Sequence, residues 1–153
     1  MKLKAQLALT LLLLAASPAY AASPYLGTWK LNLEKSKFAR GATRNQTVVY
    51  EAVGDQIKLT IDGVDATGQA VHSEWIGKFD GKDYPSTGDP TVDTRAFSRV
   101  NDHILTVINK KNSKVTVSGK IEVSADGKTR TVITTATDPQ GRRSTSVALY
   151  DKQ

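Results

Sequence analysis

Apolar and polar residues alternate with a period of two over most of the chain. Lys58, Thr60 and Asp62 interleave with Ile57, Leu59 and Ile61. Val71, Ser73, Trp75, Gly77 and Phe79 share one parity. Val115, Val117, Gly119, Ile121 and Val123 alternate with Lys114, Thr116, Ser118, Lys120 and Glu122. Period two puts successive side chains on opposite faces of a strand, so each segment has one buried face and one wet face. Turn formers separate the segments, among them Gly54-Asp55, Asp65 to Gly68, Asp80-Gly81, Gly88-Asp89-Pro90, Asn101-Asp102, Asn112-Ser113, Asp126-Gly127 and Asp138 to Gly141. Asp, Asn and Gly suit tight turns because they tolerate positive φ or bond their own backbone. The pattern predicts ten strands, over 26–33, 46–53, 56–64, 70–79, 82–85, 92–100, 103–110, 114–124, 128–137 and 142–151. Gly63, Gly77 and Gly119 lie inside them and mark bulges or sharp bends. Leu33 to Phe38 reads as one short helical turn, and Arg40 to Arg44 as loop.

Ten consecutive strands joined by tight turns form an antiparallel up-and-down meander. An open meander leaves two unpaired edges, so the predicted fold is all-β, closed into a barrel. A two-sheet sandwich is the alternative that the same alternation allows. A barrel in an outer membrane has long loops on one side and aromatic girdles. Here the turns are short on both sides, no girdle is visible, and the chain ends on the polar Asp151-Lys152-Gln153.

The first residues do not belong to this pattern. Lys2 and Lys4 precede an uncharged run, Leu7 to Ala16, followed by Ser17-Pro18 and the small-x-small sequence Ala19-Tyr20-Ala21. These are the three parts of a secretory signal peptide. The expected organisation is a leader over 1–21, cleaved after Ala21, and one barrel domain over 22–153, secreted or periplasmic. The apolar run is too short for a spanning helix. The chain has no cysteine, so an exported domain must hold together by packing and hydrogen bonds. Lys and Arg number 21 against 15 Asp and Glu, a formal net charge of +6. The charges are interspersed, without the basic stripe and stacking aromatics of a nucleic-acid binder.

Two short segments carry a family resemblance. The first strand opens with Tyr25-Leu26-Gly27-Thr28-Trp29-Lys30-Leu31, and the last ends with Leu149-Tyr150-Asp151-Lys152. A Gly-x-Trp at the head of such a meander resembles the calycins, the lipocalins and fatty-acid-binding proteins. The chain also resembles exported lipocalin-like bacterial proteins. The resemblance implies a barrel holding a small hydrophobic or amphipathic ligand. It also implies that Gly27 and Trp29 close one barrel end, with a basic residue from a late strand stacked on the indole; Arg142 and Arg143 are the candidates. Two features depart from the fatty-acid-binding pattern. The span from Glu34 to Asn45 is too short for the two lid helices of that family. Ala148 stands two residues before Tyr150, where that family has a carboxylate-binding arginine.

Catalytic and metal chemistry find little support in the sequence. His72 and Glu74 share one face of a strand, but Lys78 is on that face too, and the other histidine, His103, follows a turn. A surface pair explains them. Asp80, Asp83, Asp89 and Asp93 lack the intervals of a calcium loop and suit turns. No Gly-x-Ser-x-Gly or phosphate-binding glycine loop occurs. No catalytic residue, metal or cofactor is therefore assigned. The candidate ligand site comprises Trp75, Phe79 and Phe97 as wall, with Arg95 or Arg99 facing a polar head. Small inward residues (Ser73, Gly63, Gly77, Gly119, Ala148) leave volume for a guest. The alternative is a structural or interaction domain with a filled core.

Overall fold

The computed structural model describes residues 23–153; the leader expected over 1–21 lies outside them. Ten strands follow in order: β1 (Gly27–Lys37), β2 (Arg44–Val53), β3 (Gln56–Val64), β4 (Ala70–Gly77), β5 (Tyr84–Thr87), β6 (Thr94–Asn101), β7 (Ile104–Lys111), β8 (Lys114–Val123), β9 (Thr129–Thr137) and β10 (Arg143–Lys152). Each pairs antiparallel with its sequence neighbours, and β1 pairs with β10, so the sheet is a closed barrel. Closure excludes the sandwich. It also removes both strand edges, which is the reason the meander closes.

Alternation is realised as inward and outward faces. Ile57, Leu59 and Ile61 of β3, with Ile121 and Val123 of β8, are buried in one core cluster. The outward residues between them are polar and form ion pairs, such as Lys58 with Glu74 at 2.8 Å and Lys120 with Glu122 at 2.6 Å. Among the described residues, no helix is long and apolar enough to cross a membrane.

The helical turn expected over Leu33 to Phe38 is not formed; β1 continues to Lys37. The local signal has a physical counterpart, because this segment is a wide bulge. Asn32 pairs with Leu149 and Lys37 with Val147, so β1 carries extra residues against β10. Inside the bulge, the Lys35 N–H donates to the Asn32 side-chain oxygen at 3.2 Å, and the Ser36 hydroxyl donates to the Asn32 carbonyl at 2.7 Å. The Ser36 hydroxyl oxygen in turn accepts the Leu149 N–H at 2.9 Å, replacing a ladder bond. A second bulge lies in β2 between Asn45 and Thr47, opposite Gly63. A Cβ on Gly63 would sit 2.3 Å from the Arg44 carbonyl oxygen, so only glycine permits that approach. The thinnest part of the wall is β5, which has two pairs with β4 and two with β6.

The acidic residues build turns. The Asp65 carboxylate accepts from the N–H groups of Thr67 and Gln69. Asp126 accepts from the Lys128 N–H and the Ser124 hydroxyl. Asp138 accepts from the N–H groups of Gln140 and Arg142 and from the Arg142 guanidinium. Asp93 accepts from the Lys111 ammonium and the Asn112 N–H. Side-chain hydrogen bonds, from Thr67, Ser124, Arg142 and Lys111 respectively, are the main reason these carboxyls stay below the usual aspartate range. A carboxyl whose folded pKa is depressed stabilises the fold above its unfolded value, and loses that contribution as pH falls through the folded value. The melting temperature is therefore expected to be level from neutrality down to about pH 5 and to drop below about pH 4. Thermal melts by circular dichroism across that range check this, and a level profile to pH 2 would contradict it.

Candidate functional site

The barrel interior divides into a packed half and an open half. In the packed half, the residues before β1 fold across the barrel end. Tyr25 is buried there, and its carbonyl accepts the Trp29 indole N–H at 2.8 Å. Tyr25 meets Phe79 edge-on at 5.8 Å, and Phe79 meets Phe97 edge-on at 5.7 Å. Trp75 packs edge-on against Phe97 at 4.9 Å and donates its indole N–H to the Arg95 carbonyl at 2.9 Å. Ring pairs in these orientations gain more than their buried area alone would give.

The residues expected as a ligand wall lie in this packed half. Trp75, Phe79 and Phe97 fill the closed end and line neither of the two cavities in the open half. The segment around Tyr25 adds a further ring to this cluster.

Cations on Trp29 also differ from expectation. Arg142 is exposed and held by Asp138 at 2.6 Å, and Arg143 is exposed at the start of β10. Arg142 lies in the turn between β9 and β10 and Arg143 opens β10, whereas Trp29 pairs with Lys152 at the far end of β10. The indole is covered instead by the Lys152 ammonium, 5.0 Å from the ring centre, and by the Arg130 guanidinium of β9, at 5.7 Å. Gly27 has φ of 111°, a left-handed value that favours glycine, and a Cβ there would press on the Lys152 side chain at 3.1 Å. Sequence reasoning missed Arg130. Its signal was available, since Arg130 is in phase with Val132 and Thr134, both of which line the interior.

The open half holds a cavity of about 290 Å³. Its mouth lies between the β1–β2 loop, with Phe38 and Arg40, and the β5–β6 loop, with Asp89, Thr91 and Val92. Its walls combine apolar Ile61, Val71, Val117, Val132 and Ala148 with polar Ser73, Asn109, Thr134 and Ser146. Arg95 borders it from β6, 6% exposed, with its Nε–H donated to the Asn109 side-chain oxygen at 2.9 Å. Burial pushes the Arg95 guanidinium below its ordinary pKa. Arg99, four residues on, lies instead at the packed end. It bonds Asp102 at 3.4 Å and lies 5.9 Å from the Phe79 ring centre. The β6–β7 register shifts between Arg99 and Asn101, which ends the regular alternation there.

Histidines take no part in the cavity. His72 bonds Asp62 at 2.7 Å on the outer face, while Glu74 pairs with Lys58. His103 contacts the Val123 carbonyl at 3.1 Å. Among the described residues, no three His, Asp or Glu side chains gather as a metal site.

No protein-family model matches the sequence, and no curated protein matches it significantly. The fold is similar to that of a solved structure described as EF1p2_mFAP2b bound to DFHBI. That match has a TM-score of 0.50 and 9% sequence identity, and covers 90% of this chain and all of the other. At that identity the likeness extends to the fold.

Proposed function

We propose that this protein is an exported carrier that holds a small amphipathic molecule in the open half of its barrel. The single observation that carries the reading is the cavity of about 290 Å³ in a barrel whose other half is tightly packed. A core that only needed filling would not combine close aromatic packing at one end with an unfilled, partly polar chamber at the other. The volume lies at the lower end of small-molecule sites, and the mixed lining suits a ligand with apolar body and polar end. A barrel of similar fold, at 9% identity, was solved bound to DFHBI. The leader pattern at residues 1–21 supports export.

The purified chain is expected to bind a neutral hydrophobic fluorophore such as 1-aminoanthracene, with emission saturating at one probe per chain. Native mass spectrometry of the unextracted protein is expected to show a co-purifying small molecule displaced by that probe. An empty chain giving no saturable signal would leave the domain with a structural role.

A further inference from the structure

The outer wall of the barrel differs between its two flanks. Over β2, β3 and β4 the outward side chains include paired charges, Lys58 with Glu74 and His72 with Asp62. The opposite flank, β7 to β10, is different. There the inward residues, such as Leu105, Ile121 and Ala148, are buried, so the residues alternating with them face out. Strand register lines these up in rows across four strands. One row runs from Ile108 to Thr145, the next from Thr106 through Lys120 and Ile133 to Val147, and the third from Ile104 through Glu122 to Leu149. The three rows hold one cation and one anion, Lys120 and Glu122, bound to each other at 2.6 Å. Every other member is apolar or carries a hydroxyl.

Ile133 is 41% exposed and Ile108 38%, with Val147 and Leu149 half-buried on the same flank. Leu33, also exposed, belongs to the β1 bulge, which opens opposite Val147 and Leu149 and so borders this flank. Bulges re-aim side chains at the rims of barrels. Single exposed apolar residues are ordinary, but contiguous rows from which net charge is excluded have the make-up of an interface core.

Charge selects a second copy of this chain as the occupant. The chain has a formal net charge of +6, so two copies repel in most approaches, whereas this face is neutral. Its one ion pair is also self-complementary. Lys120 and Glu122 are two residues apart on β8, so in a two-fold pair each ammonium can meet the other copy's carboxylate. A face built for a charged partner would carry an excess of one sign. Strand and residue spacings make the face roughly 20 Å by 20 Å, so a pair would bury about 800–1,000 Å² in total, the low end for specific contacts. That area suits a reversible dimer.

We infer that the outer faces of β7 to β10 from two copies pack together as a two-fold, reversible dimer. The cavity mouth, between the β1–β2 and β5–β6 loops, lies away from this flank and stays open in both copies.

Sedimentation velocity of the purified chain from about 10 µM to about 1 mM tests this. The weight-average coefficient is expected to rise to the dimer value and stop there, with a dissociation constant of about 100 µM. Ile133→Lys sets like charges against each other across the two-fold axis and is expected to weaken association at least about tenfold. Thr135→Lys, one row away, is expected to do the same. Ile76→Lys, at a residue 45% exposed on the charged flank, is expected to leave association unchanged. Near-UV circular dichroism checks the fold of each variant. A wild-type chain that stays monomeric throughout overturns the inference, as does assembly past two copies. So does association of folded Ile133→Lys or Thr135→Lys at wild-type strength, or equal weakening by Ile76→Lys.

Discussion

Replacing Trp75 with alanine is expected to remove about 4–5 kcal/mol of stability, the upper range for a buried aromatic truncated to a methyl group. Three losses combine. The indole is 1% exposed, so its whole apolar surface is at stake. It also packs against Phe97, Phe79 and Tyr84, at centroid distances of 4.9, 6.5 and 5.8 Å. The Arg95 carbonyl, which accepts the indole N–H at 2.9 Å, loses its side-chain donor. Gly77 is fitted against the indole so closely that a Cβ there would come within 2.5 Å of it, so truncation removes close packing on that side as well. Small domains are stabilised by only about 5–15 kcal/mol in total, so the variant should unfold at far lower urea. Trp75→Phe keeps most of the apolar volume but not the donor, and should cost about 1–2 kcal/mol. Urea titrations of the two variants beside wild type decide the matter. A loss below about 2 kcal/mol for Trp75→Ala would mean that the cluster is not the stabilising centre.

The second large effect falls on binding. Ala148 is buried on β10 and lines the open cavity, with Ser146 and Tyr150 on either side in the same inward row. A phenylalanine there would project its ring into the space assigned to the ligand's apolar body. Ala148→Phe is expected to bind 1-aminoanthracene about 100-fold more weakly than wild type, or about 2.7 kcal/mol. The ring would meet open volume, so the thermal midpoint should change little, in contrast to overpacking a dense core. Unchanged affinity in a folded variant would place the probe elsewhere and remove the cavity from consideration.

Strands and their order were legible because closing a barrel needs nothing beyond local alternation and turn chemistry. The ten predicted segments overlap the ten observed strands, and the Gly63 expectation falls opposite a bulge. The Leu33 to Phe38 segment was misread because its shape depends on a residue far along the chain. Ser36 holds Leu149 across a seam 113 positions away, which no local pattern encodes. Parity correctly turned Arg95 inward beside Phe97, but it cannot say which half of the interior is filled. That is decided by Tyr25, which precedes the first strand and joins the aromatic cluster from outside the alternation. Arg142-Arg143 drew attention as a basic pair, while Arg130 stood alone among threonines and a valine. Only the β9–β10 register, in which Arg130 faces Tyr150, shows what it touches.

The pairing of β1 with β10 has a consequence for how the molecule comes into being. The first strand made is the partner of the last, and the backbone bond from the Gln153 N–H to the Thr28 carbonyl, 3.0 Å, ties β1 to the residue that follows β10. No partial chain can complete the ring. Until β10 arrives, a growing sheet keeps two open flanks able to stick to other chains. A chain that begins to fold only when all ten strands are present avoids that hazard, because the closing partner is then available from the start.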